Sequence, residues 1–261
     1  MPDGSWIGNV SAADGADGTD LFEIERSGSD AVISIDSVVV ETKDFEEIDR
    51  IVIDGTAADD DQLIIDFGGL QVDEVIPGAD TSGQPGIIFN GGAGGNDTLE
   101  LQGTLTIDEA AFNYTNLNDG SIDLDEGGGG SDGTITYTGL EPISSTLTAA
   151  NVVLNYGASA ETITVSDAPL AGQTRVASTA GEQTDFNNPT SSLVINGGGG
   201  GDTINFDAVD AAFPNNLLVQ INGDAGVDAV NLNAILTVDS LAVDADTISD
   251  AATAILTVTN N

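Results

Sequence analysis

Cysteine and histidine are both absent from the 261-residue chain. Without thiols there is no disulfide framework and no thiolate metal site. Without imidazole, the usual neutral-pH acid and base is missing. Basic residues are almost as scarce: Arg26, Lys43, Arg50 and Arg175 stand against 44 Asp and Glu, for a formal net charge of -40. Such a surface repels nucleic acid and anionic lipid headgroups, so neither is expected as a partner. No run of eighteen apolar residues occurs, and no membrane insertion is expected. The opening Met-Pro-Asp-Gly-Ser-Trp has neither a basic n-region nor an apolar h-region, so it does not read as a signal peptide. It leaves two readings, a piece of a larger protein or export without a cleaved N-terminal signal.

What is present is 40% hydrophobic residues and 33 glycines, a composition that can bury a core. The acids are mostly Asp and lie beside Gly and Asn, which places them in turns. Two carboxylates ~5 Å apart in water repel by about 0.8 kcal/mol. Crowded acids are therefore either spread out and screened over a Debye length of about 8 Å or neutralised by bound cations.

The organising stretch is Asn196-Gly197-Gly198-Gly199-Gly200-Gly201-Asp202-Thr203-Ile204-Asn205-Phe206. The glycine run turns the backbone, an Asp follows, and Thr203 to Phe206 alternates polar and apolar as a half-buried strand does. Variants recur at Gly15 to Glu23, at Asn90 to Leu101, at Gly127 to Tyr137 and at Asn222 to Leu232, where Asp228 lies 26 residues beyond Asp202. Ala31 to Val40 reads as one β-branched run, Gln71 to Gly86 as a loop, and Asp108 to Tyr114 as a single helical turn behind an Asp cap.

Order is also kept over longer distances. Asp44 to Ile48, Ile51 to Gly55 and Ile87 to Asn90 are answered in turn by Gly139 to Ile143, Val152 to Gly157 and Leu193 to Asn196. Residues 1–261 are therefore expected to form one continuous all-β domain, a parallel β-helix or β-solenoid with short corner turns and at most one or two helical turns. Its divergent internal repeats cover about 38–131 and 132–261. A 26-residue period suits one coil, and each coil buries its apolar face only by stacking on its neighbours. A β-sandwich is the alternative class.

Two resemblances follow from these residues. Gly197 to Asn205 fits the calcium-binding nonapeptide G-G-x-G-x-D-x-U-x of RTX proteins at each defined position. Gly139-Leu140-Glu141-Pro142-Ile143, followed by Leu193 to Gly198 and Gly201 to Ile204, resembles the G-L-E-P-[IV] repeats of very large surface and secreted proteins of aquatic bacteria. The closest part runs from Tyr137 to about Val238, with Val38 to Leu101 as a divergent copy. The resemblance implies a non-enzymatic structural or adhesive module, extracellular or at the cell surface. Copies of itself or neighbouring repeats, and surface glycans, are then its partners.

Calcium is the cofactor this points to, at several sites. Ca²⁺ takes six to eight oxygens, which turn carbonyls and a following carboxylate could provide. The expected ligands are Asp202 and Asp228 with Asp224, Gly198 and Gly200, then Asp97 with Asn96, and Asp20 with Asp17. These turns are isolated, whereas RTX nonapeptides run in tandem. The competing reading is that each Asp closes its own turn by an Asx hydrogen bond. Two further classes remain: a polysaccharide-acting β-helix enzyme, disfavoured by the missing histidine and scattered cations, and an ice- or surface-binding solenoid. The second rests on Thr-x-Thr strands at Thr104, Thr134, Thr146, Thr162 and Thr257, whose unequal spacing argues against a regular array. Open strand ends make end-to-end assembly into filaments physically available.

Overall fold

Alternation sets the strands. In Gln62–Asp66 the sequence Gln-Leu-Ile-Ile-Asp buries Leu63 and Ile65 completely and leaves the other three half-buried. The same period-2 pattern recurs along the chain. The computed structural model describes residues 6–11, 19–56, 60–78, 86–127, 130–251 and 254–259. It divides into two compact units, one of residues 1–107 and 118–147, the other of 108–117 and 148–261.

In the first unit the strands are β1 (Trp6–Ser11), β2 (Leu21–Ser27), β3 (Asp30–Ile35), β4 (Val38–Asp44), β5 (Ile48–Asp54), β6 (Gln62–Asp66), β7 (Ile87–Asn90) and β8 (Thr98–Gln102). After β9 (Thr106–Tyr114), most of which belongs to the second unit, come β10 (Gly120–Asp125), β11 (Gly133–Thr138) and β12 (Ile143–Ser145). They lie in two sheets, ordered β1-β5-β7-β11-β10 and β12-β8-β6-β2-β3-β4. Passing from β5 to β6 to β7 to β8, the chain visits the two sheets alternately, and each strand pairs in parallel with the one a pass earlier. One pass through both sheets is a circuit. Side chains stack in columns across circuits, such as Phe22, Leu63, Leu99 and Ile143, all fully buried.

The second unit continues with β13 (Thr148–Asn155), β14 (Thr162–Asp167), β15 (Gln173–Ser178), β16 (Thr184–Asn187), β17 (Ser192–Asn196) and β18 (Thr203–Phe206). It ends with β19 (Leu218–Asn222), β20 (Ala229–Leu232), β21 (Ile235–Val238), β22 (Ser240–Asp244), β23 (Thr247–Asp250) and β24 (Ile255–Val258). One sheet runs β9-β13-β17-β19-β22, a second β23-β20-β18-β14-β15-β16, and a small third joins β21 to β24. Thr203 pairs with Ala229 and Ser192 with Leu218, so one circuit here is the 26 residues that separate Asp202 from Asp228.

Amides line the outer end of the first sheet of this unit. Asn155 Nδ2 donates to Asn113 Oδ1 at 2.7 Å, Asn196 to Asn155 at 2.6 Å, and Asn222 to Asn196 at 2.6 Å. Each amide thus passes one hydrogen bond back to the preceding circuit. Pairing between circuits is parallel, unlike that of a β-sandwich, with antiparallel hairpins at β2–β3–β4, β10–β11 and β14–β15–β16, and the fold is all-β with long parallel sheets.

Several local expectations are corrected. Ala31 to Val40 is not one strand. It breaks at Asp36 and Ser37, whose φ values of 51° and 64° form a left-handed turn that sends β4 back antiparallel to β3. Gly127 and Gly130 lie between the strands of the antiparallel hairpin β10–β11, and residues 128–129 of the run lie outside the described residues. Asp108 to Tyr114 is strand, not helix. Ala110, Phe112 and Tyr114 alternate into the core, with Phe112 stacked on Phe186 and the Tyr114 hydroxyl 2.7 Å from Thr184 Oγ1. Gln71 to Gly78 contains a short 3-10 turn, Val72–Glu74. Ile48 opens β5, whereas Ile143 pairs with Leu99 in the other sheet, so Asp44–Ile48 and Gly139–Ile143 are not equivalent positions.

Two substitutions test the stacking. Ile204→Ala opens the column of Ile163, Ile204 and Val230, all fully buried, and is expected to cost about 2–5 kcal/mol. Val39→Ala, on the exposed edge strand β4, should change stability by less than about 0.5 kcal/mol. Urea unfolding of both variants checks the contrast.

Candidate functional site: a column of corner acids

Where the chain passes from one sheet into the other, each circuit places an acid directly before the strand or, at Glu141, one residue earlier. In the first unit these are Asp20, Asp61, Asp97 and Glu141, and in the second Glu161, Asp202, Asp228 and Asp246. Five of them are almost wholly buried: Asp61 and Asp202 at 1% exposure, Asp97 at 1%, Asp228 at 3% and Glu161 at 4%.

Backbone chemistry explains the position. At the corner the strand ladder has not yet begun, so the acid's own N–H needs an acceptor. The carboxylate of the next circuit supplies it. Asp61 N–H donates to Asp97 Oδ1 at 2.8 Å, Glu161 N–H to Asp202 Oδ1 at 2.9 Å, Asp202 N–H to Asp228 Oδ1 at 2.9 Å, and Asp228 N–H to Asp246 Oδ2 at 2.8 Å. In return, the N–H following Asp61, Asp97, Asp202, Asp228 and Asp246 donates to the carbonyl of the acid before it, as Ala229 does to Asp202 at 2.8 Å, whereas at Glu141, which precedes a proline, the acid's own N–H donates to Asp97 O. Bonds to an ionised carboxylate are roughly twice as strong as neutral ones.

A glycine makes room for four of these carboxylates, those of Asp61, Asp97, Asp202 and Asp228. A Cβ placed on Gly91 would lie 2.7 Å from Asp97 Oδ2, and one on Gly197 would lie 2.6 Å from Asp202 Oδ2. Gly55 and Gly223 are seated in the same way against Asp61 and Asp228. The recurring order is thus an amide or acid that ends the strand, a glycine that seats the carboxylate, and a corner acid that holds the neighbouring circuit.

Burial and like charge move these acids upward. Asp97 is pushed up to about 6 by burial and by the charges of Asp61, Glu141 and Asp60, opposed by the N–H of Asp61. Glu161 is pushed up to about 7 by burial and by Asp202. Asp202 is also raised, chiefly by burial and then by Asp228 and Asp224, against the N–H of Glu161. Asp202 Oδ2 and Glu161 Oε2 are both buried without a hydrogen-bond partner.

The residues proposed for calcium divide under this geometry. Asp202 and Asp228 share one column, as do Asp20 and Asp97 in the other unit. Asp224 is apart, in an exposed turn at φ 64°. Asn96 is exposed and donates its N–H to Asp60 at 2.7 Å, and Asp17 lies outside the described residues. Gly198 and Gly200, at φ 82° and 111°, lie against the preceding turn at Gly157 and Ala160.

Turn oxygens that a cage would use are engaged between circuits. Gly198 O accepts from Ala225, Gly157 O from Gly199, and Ala225 O from Gly200. Among the described residues, no group of three or more acids is arranged to hold a metal. Nor do Asp202 and Asp228 close their own turns with the oxygens that cap Glu161 and Asp202, since those bonds span 41 and 26 residues.

Sequence reasoning missed Asp61, Glu141, Glu161 and Asp246. A legible signal was an Asn or Asp ending a strand with an acid six or seven positions later, as in Asp54 with Asp61 and Asn155 with Glu161. The Thr-x-Thr strands do not share a face: Thr134 lies on β11, Thr162 on β14 and Thr257 on β24, in three different sheets. Comparison with protein-family models, curated proteins and solved structures returns no match.

Two predictions follow from the column. Asp228→Ala strands the buried N–H of Asp202 and should cost about 1–3 kcal/mol, with Asp228→Asn, which keeps an acceptor, costing less. Raised carboxyl pKa values mean that the folded state binds protons more tightly than the unfolded chain. Their stabilisation is full below the unfolded values of 3.8 and 4.5 and is lost as pH rises through about 6 for Asp97 and about 7 for Glu161. The thermal midpoint at fixed ionic strength should therefore fall between pH 4.5 and pH 7.5, and Glu161→Gln should flatten the upper part of that fall.

Proposed function

We propose that the chain is a non-enzymatic structural module, a parallel β-solenoid of a bacterial cell-surface or extracellular matrix protein that joins neighbouring repeats. The observation that carries this reading is where the polar side chains go. Corner acids, strand-end amides and turn carbonyls are spent on holding one circuit to the next, so the polar chemistry is that of a stack. Columns of buried apolar residues run beside them. A quasi-one-dimensional array of this kind spans distance and presents long faces.

The G-L-E-P-[IV] resemblance supports the same reading. Gly139 to Ile143 forms one of the corners: Glu141 donates its N–H to Asp97 O, and Asn118 holds both Leu140 O, at 3.1 Å, and the Glu141 carboxylate. A surface with a net charge of -40 suits a salt-bathed exterior and a neutral or cationic counterpart.

Calcium is not part of this proposal. A site of ~10⁻⁴ M would add about 2.7 kcal/mol at ~10 mM calcium, a rise of roughly 5–10 °C in midpoint for a chain of this size. The expectation is a shift below about 2 °C between calcium and chelator with magnesium at matched ionic strength. Purified chain should also release no reducing ends from uronate or neutral polysaccharides. Cleavage of either would overturn the structural reading.

A further inference from the structure

The glycine that seats a corner carboxylate follows the last residue of a strand, and three times that residue is asparagine: Asn90-Gly91, Asn196-Gly197 and Asn222-Gly223. Asn-Gly is the pair that deamidates fastest, because no Cβ screens the glycine nitrogen from the side-chain amide. In that reaction the glycine nitrogen gives up its proton and bonds to the asparagine Cγ. The Cγ–Nδ2 bond breaks, and the amide leaves as ammonia with a proton taken from solvent. Water then opens the succinimide at either carbonyl, giving aspartate or isoaspartate. Only water is consumed, so the chain can carry out the step on itself.

The fold keeps the reacting atoms apart. Each glycine nitrogen is tied to the next strand of its sheet: Gly91 N–H donates to Thr138 O, Gly197 N–H to Asn222 O and Gly223 N–H to Asp244 O, each at 2.8 Å. Each side-chain amide is held at both ends. Asn90 donates to Asp54 and accepts from Thr138 Oγ1, Asn196 donates to Asn155 and accepts from Asn222, and Asn222 donates to Asn196 and accepts from Gln220. All three glycines are buried. We propose that these pairs are latent self-deamidation sites, each shut by the next strand of its sheet and released when that strand comes away. The inference goes beyond the structural-module reading and does not depend on it.

The same bonds make the release directional. Isoaspartate routes the main chain through Cβ and Cγ, so conversion at Asn222 displaces the carbonyl that holds Gly197 N–H and removes the amide that holds Asn196 Oδ1. Asn196-Gly197 then loses both locks. Conversion at Asn196 leaves Gly223 N–H on Asp244 O, so Asn222-Gly223 stays shut. The carbonyl displaced at Asn196 holds Tyr156 N–H, and there the sequence of release ends, because the tyrosine's Cβ screens its nitrogen from the Asn155 amide.

The test incubates the full chain in mildly alkaline buffer, folded and in urea, and follows deamidation at residues 90, 196 and 222 by peptide mass mapping. Amide exchange of Gly91, Gly197 and Gly223 is measured in parallel. In urea the three sites are expected to react at similar rates. In the folded chain each should slow by about 100-fold or more, and the ranking of the three should follow that of their glycine N–H exchange. Asn222→Asp removes the donor to Asn196 and should speed reaction there by about 10-fold with Asn90 unchanged, whereas Asn196→Asp should leave Asn222 unchanged. Equal rates in the folded and urea-treated chain at any of the three sites overturn the proposal. So does a folded-state ranking unrelated to glycine exchange, or an equal response of Asn196 and Asn222 to the two substitutions. If either variant does not fold, the first two comparisons, made on the unsubstituted chain, still decide it.

Discussion

A backbone N–H that would otherwise be buried without an acceptor, at four of the corners, is the constraint on which the rest of this structure depends. Strand pairing satisfies the main chain within the sheets, but at Asp61, Glu161, Asp202 and Asp228 the ladder has not yet started. Leaving such a group unpaired costs about 1–3 kcal/mol. A carboxylate from the adjacent circuit removes that penalty, and it reaches the spot only because Gly91, Gly197 and their equivalents carry no Cβ. Glycine, acid and register are therefore one device. Register is fixed by it, because a slip of one residue would move each carboxylate off its donor and turn the apolar columns outward.

Stacking acids in a column has an electrostatic consequence. Adjacent circuits are about 4.8 Å apart, where two full charges repel by about 0.9 kcal/mol in water but by roughly 3.5 kcal/mol at an effective dielectric of 20. A charge-assisted hydrogen bond gives back about 1.5–3 kcal/mol. The two are close enough in size that neighbouring acids cannot all stay ionised without loss. Proton retention at Glu161 and Asp97, both raised by burial first and by neighbouring acids next, follows from that balance. The N–H donated to Asp202 opposes the same rise without cancelling it.

Much of the architecture was legible in the sequence, and the reasons for the rest are specific. Alternation gave the strands from Gln62 and from Thr203, and the spacing of Asp202 and Asp228 gave the circuit, because both depend on local periods. Ile87–Asn90 and Leu193–Asn196, both read as strands, are β7 and part of β17. The turn between β3 and β4 was not visible, since Asp36-Ser37 lacks the glycine that usually announces a left-handed pair. Asp108 to Tyr114 misled because cap chemistry at Asp108 was weighed above the inward alternation of Phe112 and Tyr114. The corner acids were half read: their place in the turn was legible, but their partners lie 18 to 41 residues away and no local pattern states which circuit a carboxylate serves. Glu161 escaped notice because Gly157-Ala158-Ser159-Ala160 is not a glycine run.

The central claim is that corner carboxylates bond to the backbone of the neighbouring circuit, and scalar coupling across hydrogen bonds reads this directly. In isotope-labelled chain, NMR should detect coupling from the amide nitrogen of Glu161 to Cγ of Asp202, and from that of Asp202 to Cγ of Asp228. Both couplings, with slow amide exchange at the two donors, are the predicted result. Absence of coupling together with exchange as fast as in an exposed turn would contradict the account.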